Sequence, residues 1–257
     1  MAEPIIQVKE LDAFYGDTQI LADVTFDVMP GEIFVVIGGS GCGKTTLLKH
    51  VTGLVSPARG SIMHEGIDIT QLDEDQLAPI KHKMGIAFQS GALFNSMTVG
   101  ENVALPLREY GHVEPYLIPP IVRMKLSLVG LAEAEHKLPS ELSGGMRKRA
   151  GLARAMAADP PVVYFDEPSA GLDPIMASGL DELILELRSA LGITFVIVTH
   201  ELDSIRKIAD RVLMLDQGRV VFLGTVQEAE QAGSERVRQF FARRADAYMM
   251  QRNIQSG

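Results

Sequence analysis

The chain has 257 residues, 46% hydrophobic and 22% charged, the balance of a folded globular protein long enough for one large domain or two small ones. A net charge of −9 argues against a general nucleic-acid binder, and a single cysteine, Cys42, leaves no internal disulfide and fits a reducing compartment. The opening Met-Ala-Glu-Pro has no signal-peptide pattern and no apolar run reaches the roughly 18 residues a membrane span needs, so a soluble chain is expected.

Taken in order, residues 5–9 and 19–29 read as strands around a Tyr15-Gly16-Asp17 turn. Pro30-Gly31 resets the chain before the apolar run 33–37. Residues 38–46 then read Gly-Gly-Ser-Gly-Cys-Gly-Lys-Thr-Thr, with Gly38, Gly43, Lys44 and Thr45 matching G-x-x-x-x-G-K-[ST]. A helix is expected over 46–51, so the motif lies between a buried strand and a helix, as it must. Glycines without a Cβ let such a loop curl around an anion and turn several N–H groups inward. The helix adds its positive dipole end. Lys44 can reach β- and γ-phosphates, and the Thr45 hydroxyl can ligate Mg²⁺. This is a nucleoside triphosphate site. Within the loop, Cys42 reads either as filler or as a reactive thiol.

Further on, 57–60 is a turn, 61–64 a short strand and Glu65-Gly66 another turn. Asp73 opens a short helix leading to a strand over 84–89. From Ser90 the character changes. Residues 98–109, 120–129 and 145–158 have helical spacing, broken by Pro115, Pro119, Pro120 and Pro139, which makes 90–158 a helical insertion. Strand runs at 162–165 and 194–198 flank a helix over 175–190, the pattern of a parallel sheet covered on both faces. Runs 211–215 and 219–223, joined through Gln217-Gly218, form a hairpin. The tail from Ser234 is mostly helical and carries Arg236, Arg238, Arg243 and Arg244.

Three other pieces carry chemistry. Four apolar residues deliver Asp166 and Glu167 to a strand end, where Asp166 would hold Mg²⁺ and Glu167 would polarise the attacking water. Leu142-Ser143-Gly144-Gly145-Met146 opens a basic helix and makes a second anion site from a hydroxyl, bare N–H groups and a helix N-terminus; a plain N-cap is the alternative. His200 closes a strand expected beside that of Asp166, which brings it near a γ-phosphate.

In this order the pieces resemble the ATPase subunit of an ABC transporter over residues 5–225. Walker A spans 38–45, Gln89 matches the Q-loop, and 142–146 match the signature. Walker B with its glutamate spans 162–167, the D-loop 169–173, and His200 completes the set. The resemblance implies an α/β fold, in which a P-loop (RecA-like) core sheet carries an N-terminal antiparallel β subdomain and a helical insertion. It makes the chain one domain: 1–89 and 159–225 the core with its β subdomain, 90–158 the helical subdomain, 226–257 a helical tail. It implies ATP hydrolysis with Mg²⁺ held by Thr45, Gln89 and Asp166, and catalysis by Glu167, His200, Lys44 and Gln89. ATP would lie on Gly38, Gly39, Ser40, Gly41, Cys42, Gly43, Lys44, Thr45 and Thr46, with adenine stacked on Tyr15. Across a head-to-tail homodimer the same nucleotide would meet Ser143, Gly144, Gly145 and Met146.

Met146 stands where the family usually has glutamine, and that variant, with the stretches 88–107 and 142–155, resembles the Mla-type branch. Those ATPases serve permeases of phospholipid-trafficking systems containing an MCE-domain protein. The branch implies permease and MCE partners, no nucleic acid, and a peripheral place on the cytoplasmic face of the inner membrane. Another small-molecule cargo stays open, as do a soluble ABC ATPase acting on DNA or ribosomes and a regulator without turnover. Against the last three stand the absence of a heptad run, the single cassette and the complete set of hydrolytic residues.

Overall fold

Residues 3–89, 91–109, 113–232 and 234–242 are described by the computed structural model. Strands β1 (Ile6–Tyr15) and β2 (Thr18–Val28) pair antiparallel across the turn at Gly16. β1 runs beyond the expected end at Lys9. The buried side chains shift from Ile6 and Val8 to Leu11 and Ala13, and the register slips between Val8 and Leu11. Glu10 has φ 47° there, so a bulge disguises one strand as a strand and a loop. For the same reason β4 (Arg59–His64) starts inside the expected turn: Gly60 lies against the bulge, where a Cβ would come within 2.5 Å of the Glu10 carbonyl oxygen. With the short β5 (Ile67–Asp68) these strands form an antiparallel sheet in the order β2-β1-β4-β5.

Strand β3 (Ile33–Gly38) leads through the phosphate loop into α1 (Lys44–Val51). α2 (Glu74–Lys81) is opened by a capping box in which Asp73 accepts from the Gln76 N–H and Gln76 accepts from the Asp73 N–H. β6 (Met84–Ala87) stops two residues short of the expected end, and Phe88 and Gln89 leave the sheet exposed. Then come α3 (Val99–Glu109), α4 (Ile118–Leu128) and α5 (Gly144–Ala155). Pro119 and Pro120, expected to break the helix, instead form the first turn of α4, where the missing N–H groups have no intrahelical partner to lose.

The chain continues through β7 (Val162–Asp166), α6 (Pro174–Leu191), β8 (Thr194–Val198), α7 (Leu202–Ile208), the hairpin β9 (Arg211–Asp216) and β10 (Arg219–Gly224), α8 (Val226–Glu230) and α9 (Glu235–Phe241). Arg236 and Arg238 lie on α9; Arg243 and Arg244 are outside the described residues.

The second sheet has the order β10-β9-β3-β8-β7-β6, parallel throughout except for β10 against β9. Its residues alternate between two cores. Ile33, Val35, Ile37, Val163, Phe165, Phe195 and Ile197 face the core shared with α3 to α9. Phe34, Val36, Val162, Tyr164, Val196 and Val198 face the core shared with α1, α2 and the antiparallel sheet. Both faces are covered, one by helices and the other largely by strands. No helix among the described residues is long and apolar enough to cross a membrane.

Candidate active site

Four neighbouring parallel strands, β3, β8, β7 and β6, end on one edge of the sheet, the carboxyl edge at which such sheets place their ligands. The phosphate loop leaves β3, His200 follows β8, Asp166 and Glu167 end and follow β7, and Gln89 lies two residues past β6. The expected adjacency of the His200 and Asp166 strands is observed, with Asp166 opposite Val198 in the ladder.

The loop's shape depends on close approach. Gly38 has φ 147°, and a Cβ there would lie 2.3 Å from the Leu215 carbonyl oxygen and 2.6 Å from Cys42 Sγ. Gly43, at φ 107°, caps α1, with its carbonyl accepting from the Leu47 N–H at 2.8 Å. Lys44 Nζ donates to the carbonyls of Gly38 and Gly39, both at 2.9 Å, and so lies over the loop. Gly39, Ser40, Gly41 and Thr45 are exposed, and Thr46 is half-buried. Cys42 is buried against the loop and burial pushes its thiol up, which favours filler over a reactive thiol.

Across from the loop, Glu167 Oε1 accepts from His200 Nδ1 at 2.8 Å; a carboxylate only accepts, so Nδ1 carries the proton. Glu167 Oε2 is buried with no hydrogen-bond partner. Burial, and then the adjacent Glu167, raise the Asp166 pKa, while Lys44 and Lys148 oppose the rise. A cavity of about 730 Å³ is lined by Gly38, Gly39, Ser40, Lys44, Glu167, His200, Glu201, Leu202 and Phe240. It brings the phosphate loop, the glutamate and the histidine to one space. Such a space can hold a polyphosphate against N–H groups and a cation, with a carboxylate facing it.

The other expected residues lie outside that lining. Gln89 is exposed on the same sheet edge, and Tyr15 is 85% exposed at the end of β1. Ser143 caps α5 by accepting from the Met146 N–H at 3.3 Å. Gly144 and Met146 are half-buried and Gly145 is buried, on a helix remote in sequence from the loop.

Four residues were missed by sequence reasoning, among them Glu201, which lines the cavity directly after His200. Phe240, from α9, and Leu202, from the start of α7, line the cavity, and no local pattern connects either to a phosphate site. Lys148, 5% exposed, reaches the Glu167 carbonyl at 2.8 Å. Its signal was available, because Gly145, Lys148 and Leu152 recur at helical spacing on the buried side of α5.

The family model described as ABC transporter matches residues 21–170. The chain is 42% identical over 246 residues to the intermembrane phospholipid transport system ATP-binding protein MlaF of Haemophilus influenzae, covering 96% of this chain and 93% of that one. It is 43% identical over 235 residues to the Mycobacterium leprae protein named "Probable ribonucleotide transport ATP-binding protein mkl", covering 91% of this chain and 68% of that one. Among solved structures, the dimeric post-hydrolysis state of the ATP-binding cassette MJ0796 bound to ADP and Pi superposes with a TM-score of 0.79 at 29% identity, over 86% of this chain and 98% of that one. With more than half of the chain inside the family model and close relatives aligned along nearly all of it, this chain belongs to the ABC transporter family and is an ATP-hydrolysing subunit of that family.

Proposed function

We propose that this ATPase energises phospholipid movement between membranes, as a homodimer attached to permease subunits and an MCE-domain protein on the cytoplasmic face of the inner membrane. The observation that carries the chemistry is the shared cavity of Lys44, Glu167 and His200. The lipid cargo rests on the Haemophilus influenzae relative, named for intermembrane phospholipid transport, and on Met146 and the loops that resemble that branch. We read the chain as one nucleotide-binding domain, with 90–158 its helical part and 226–257 its tail.

In this reading the N–H groups of 38–46 and the Lys44 ammonium bind the phosphates, with Tyr15 under the adenine. Lys44 and His200 meet the charge spread over the γ-phosphoryl oxygens in the transition state. Glu167 orients and polarises the attacking water. In this structure its Oε1 is held by His200 and its Oε2 is buried without a hydrogen-bond partner. The second subunit closes the nucleotide with its own Ser143 to Met146, and Gln89 links the γ-phosphate to the helical part. The Thr45 hydroxyl, the half-buried Asp166 carboxylate and the Gln89 amide are oxygen donors suited to a hard cation, so the residues present fit Mg²⁺. Bound there, Mg²⁺ supplies charge neutralisation of the phosphates.

A second reading, ribonucleotide transport, is favoured by the Mycobacterium leprae relative and uses the same ATP chemistry with another cargo. The test is to purify the chain with its membrane partners and reconstitute the complex in phospholipid vesicles carrying a fluorescent phospholipid. ATP-dependent lipid movement is expected, with turnover about 10²- to 10⁴-fold lower in Glu167→Gln. That variant should also form an ATP-held dimer on size-exclusion chromatography. Movement of ribonucleotide but not lipid would establish the second reading. Undiminished turnover in Glu167→Gln would overturn the assignment of the base.

A further inference from the structure

Glu167 has an unusual backbone. It is a non-glycine residue at φ 47°, and it precedes Pro168, whose ring restricts the residue before it. Such a conformation persists only when its surroundings hold it. The hold comes from three hydrogen bonds. The Glu167 N–H donates to the Val198 carbonyl at 2.8 Å, and the Glu167 carbonyl accepts from the Ala170 N–H at 3.3 Å. The strongest contact on that carbonyl is the Lys148 ammonium, at 2.8 Å.

Lys148 is a costly residue to place there. It sits on the inner side of α5 at 5% exposure, so its charge has been taken out of water. Burial lowers its pKa, and the nearby Glu167 and Asp166 carboxylates oppose that shift. If the position served only to pack the inner side of α5, an apolar side chain of the same length would do so without the desolvation cost. What an apolar chain cannot supply is a charged donor to the Glu167 peptide. That peptide sets where the carboxylate stands: at φ 47° Oε1 meets His200 and Oε2 stays free of protein partners.

We propose that Lys148 is a positioning residue for ATP hydrolysis: its ammonium locks the Glu167–Pro168 peptide in the left-handed conformation that aims the Glu167 carboxylate at the attacking water. Lys148 itself touches neither nucleotide nor water. The inference rests on the reading of Glu167 as the residue that polarises water.

The test compares four proteins, wild type, Lys148→Met, Glu167→Gln and the double variant, with Lys148→Arg as the conservative replacement. Lys148→Met keeps the length of the stem and removes the donor. It should lower kcat roughly 10- to 100-fold, the scale of a small misplacement of a reacting group, while KM and fluorescent-nucleotide binding stay near wild type. In the Glu167→Gln background the same change should have little further effect, since the carboxylate it positions is gone. Lys148→Arg, which retains a cationic donor, should recover most of the rate. An equal loss from Lys148→Met in both backgrounds would overturn the proposal, because a general folding or binding defect lowers both alike. Wild-type kcat in Lys148→Met would also overturn it. If instead Glu167→Gln turns over normally, the reading of Glu167 has failed, and that arm alone reports it.

Discussion

At the scale of single residues, His64 and Tyr164 form a buried polar pair away from the phosphate loop. Nε2 of His64 lies 2.7 Å from the Val51 carbonyl and 3.3 Å from the Tyr164 hydroxyl, in the core below the phosphate-loop helix. A carbonyl accepts only, so Nε2 carries a proton. Burial lowers the His64 pKa to about 4 from 6.5, against smaller raising effects of the Val51 carbonyl and Glu65. The unfolded chain therefore takes up a proton first as pH falls. Stability from neutral His64 is complete above pH 6.5 and is lost progressively as pH falls toward 4. Between pH 7 and pH 5 the loss should be about 2 kcal/mol, a fall in Tm of about 4–8 °C for a chain of this size. Thermal melts at the two pH values, on wild type and His64→Gln, check this. The variant should start less stable but lose about 2 kcal/mol less on acidification. Equal acid sensitivity of the two would show that His64 does not titrate as its burial requires.

At the scale of elements, α5 joins the parts of the site that the chain keeps apart. Ser143 caps its start, Lys148 reaches Glu167, and Arg154 near its end donates to the carbonyls of Gly91 and Ala92 at 3.2 and 2.7 Å. The helix sits close to β6 because Gly85 has no side chain: a Cβ there would lie 2.4 Å from the Ala155 carbonyl oxygen. Backbone cannot yield as a flexible side chain can, so Gly85→Ala must push the end of α5 away from the sheet. Overpacking of this kind should cost about 1–3 kcal/mol in urea unfolding. Because the displacement reaches the residues that hold Gly91 and Glu167, turnover should fall as well. A variant with unchanged stability and rate would show that the close packing of α5 on β6 is not needed.

At the scale of the whole molecule, the loop after β6 is braced around an exposed aromatic ring, that of Phe94. Asn102 is fully buried and its amide bonds to the backbone at Phe94, Met97 and Thr98, with its Oδ1 accepting from the Phe94 N–H at 2.8 Å. The loop is thus braced from within while the Phe94 ring stands 52% exposed; Leu93 and Met97 are half-buried and Val99 is buried. A braced loop that presents an aromatic ring to solvent suits docking on a membrane partner, where exposed apolar surface becomes covered. Phe94→Asp should leave circular dichroism and Tm close to wild type and weaken co-purification with the proposed permease partner. The loss should be at least tenfold if the ring is an interface anchor. Normal assembly by a well-folded variant would exclude this loop as the contact.

Much of the site was legible in the sequence because it depends on local backbone chemistry. Gly38 and Gly43 announce a loop that admits no Cβ, apolar runs announce the strands that deliver Asp166 and His200, and Ser143 and Asp73 announce helix starts. Element ends were less legible where a local rule was overridden. The bulge at Glu10 hid half of β1, and Pro119 and Pro120 looked like breakers although they occupy the one turn of a helix that tolerates them. What only the tertiary structure decided is the arrangement of partners distant in the chain. Insertion of β8 between β3 and β7, burial of Lys148 beneath Glu167 and placement of Phe240 at the cavity all depend on contacts between residues far apart in sequence. Local propensity specifies which segments become strands and helices. The order in which strands pair, and which cation ends up against which backbone carbonyl, follows from how the two cores close together.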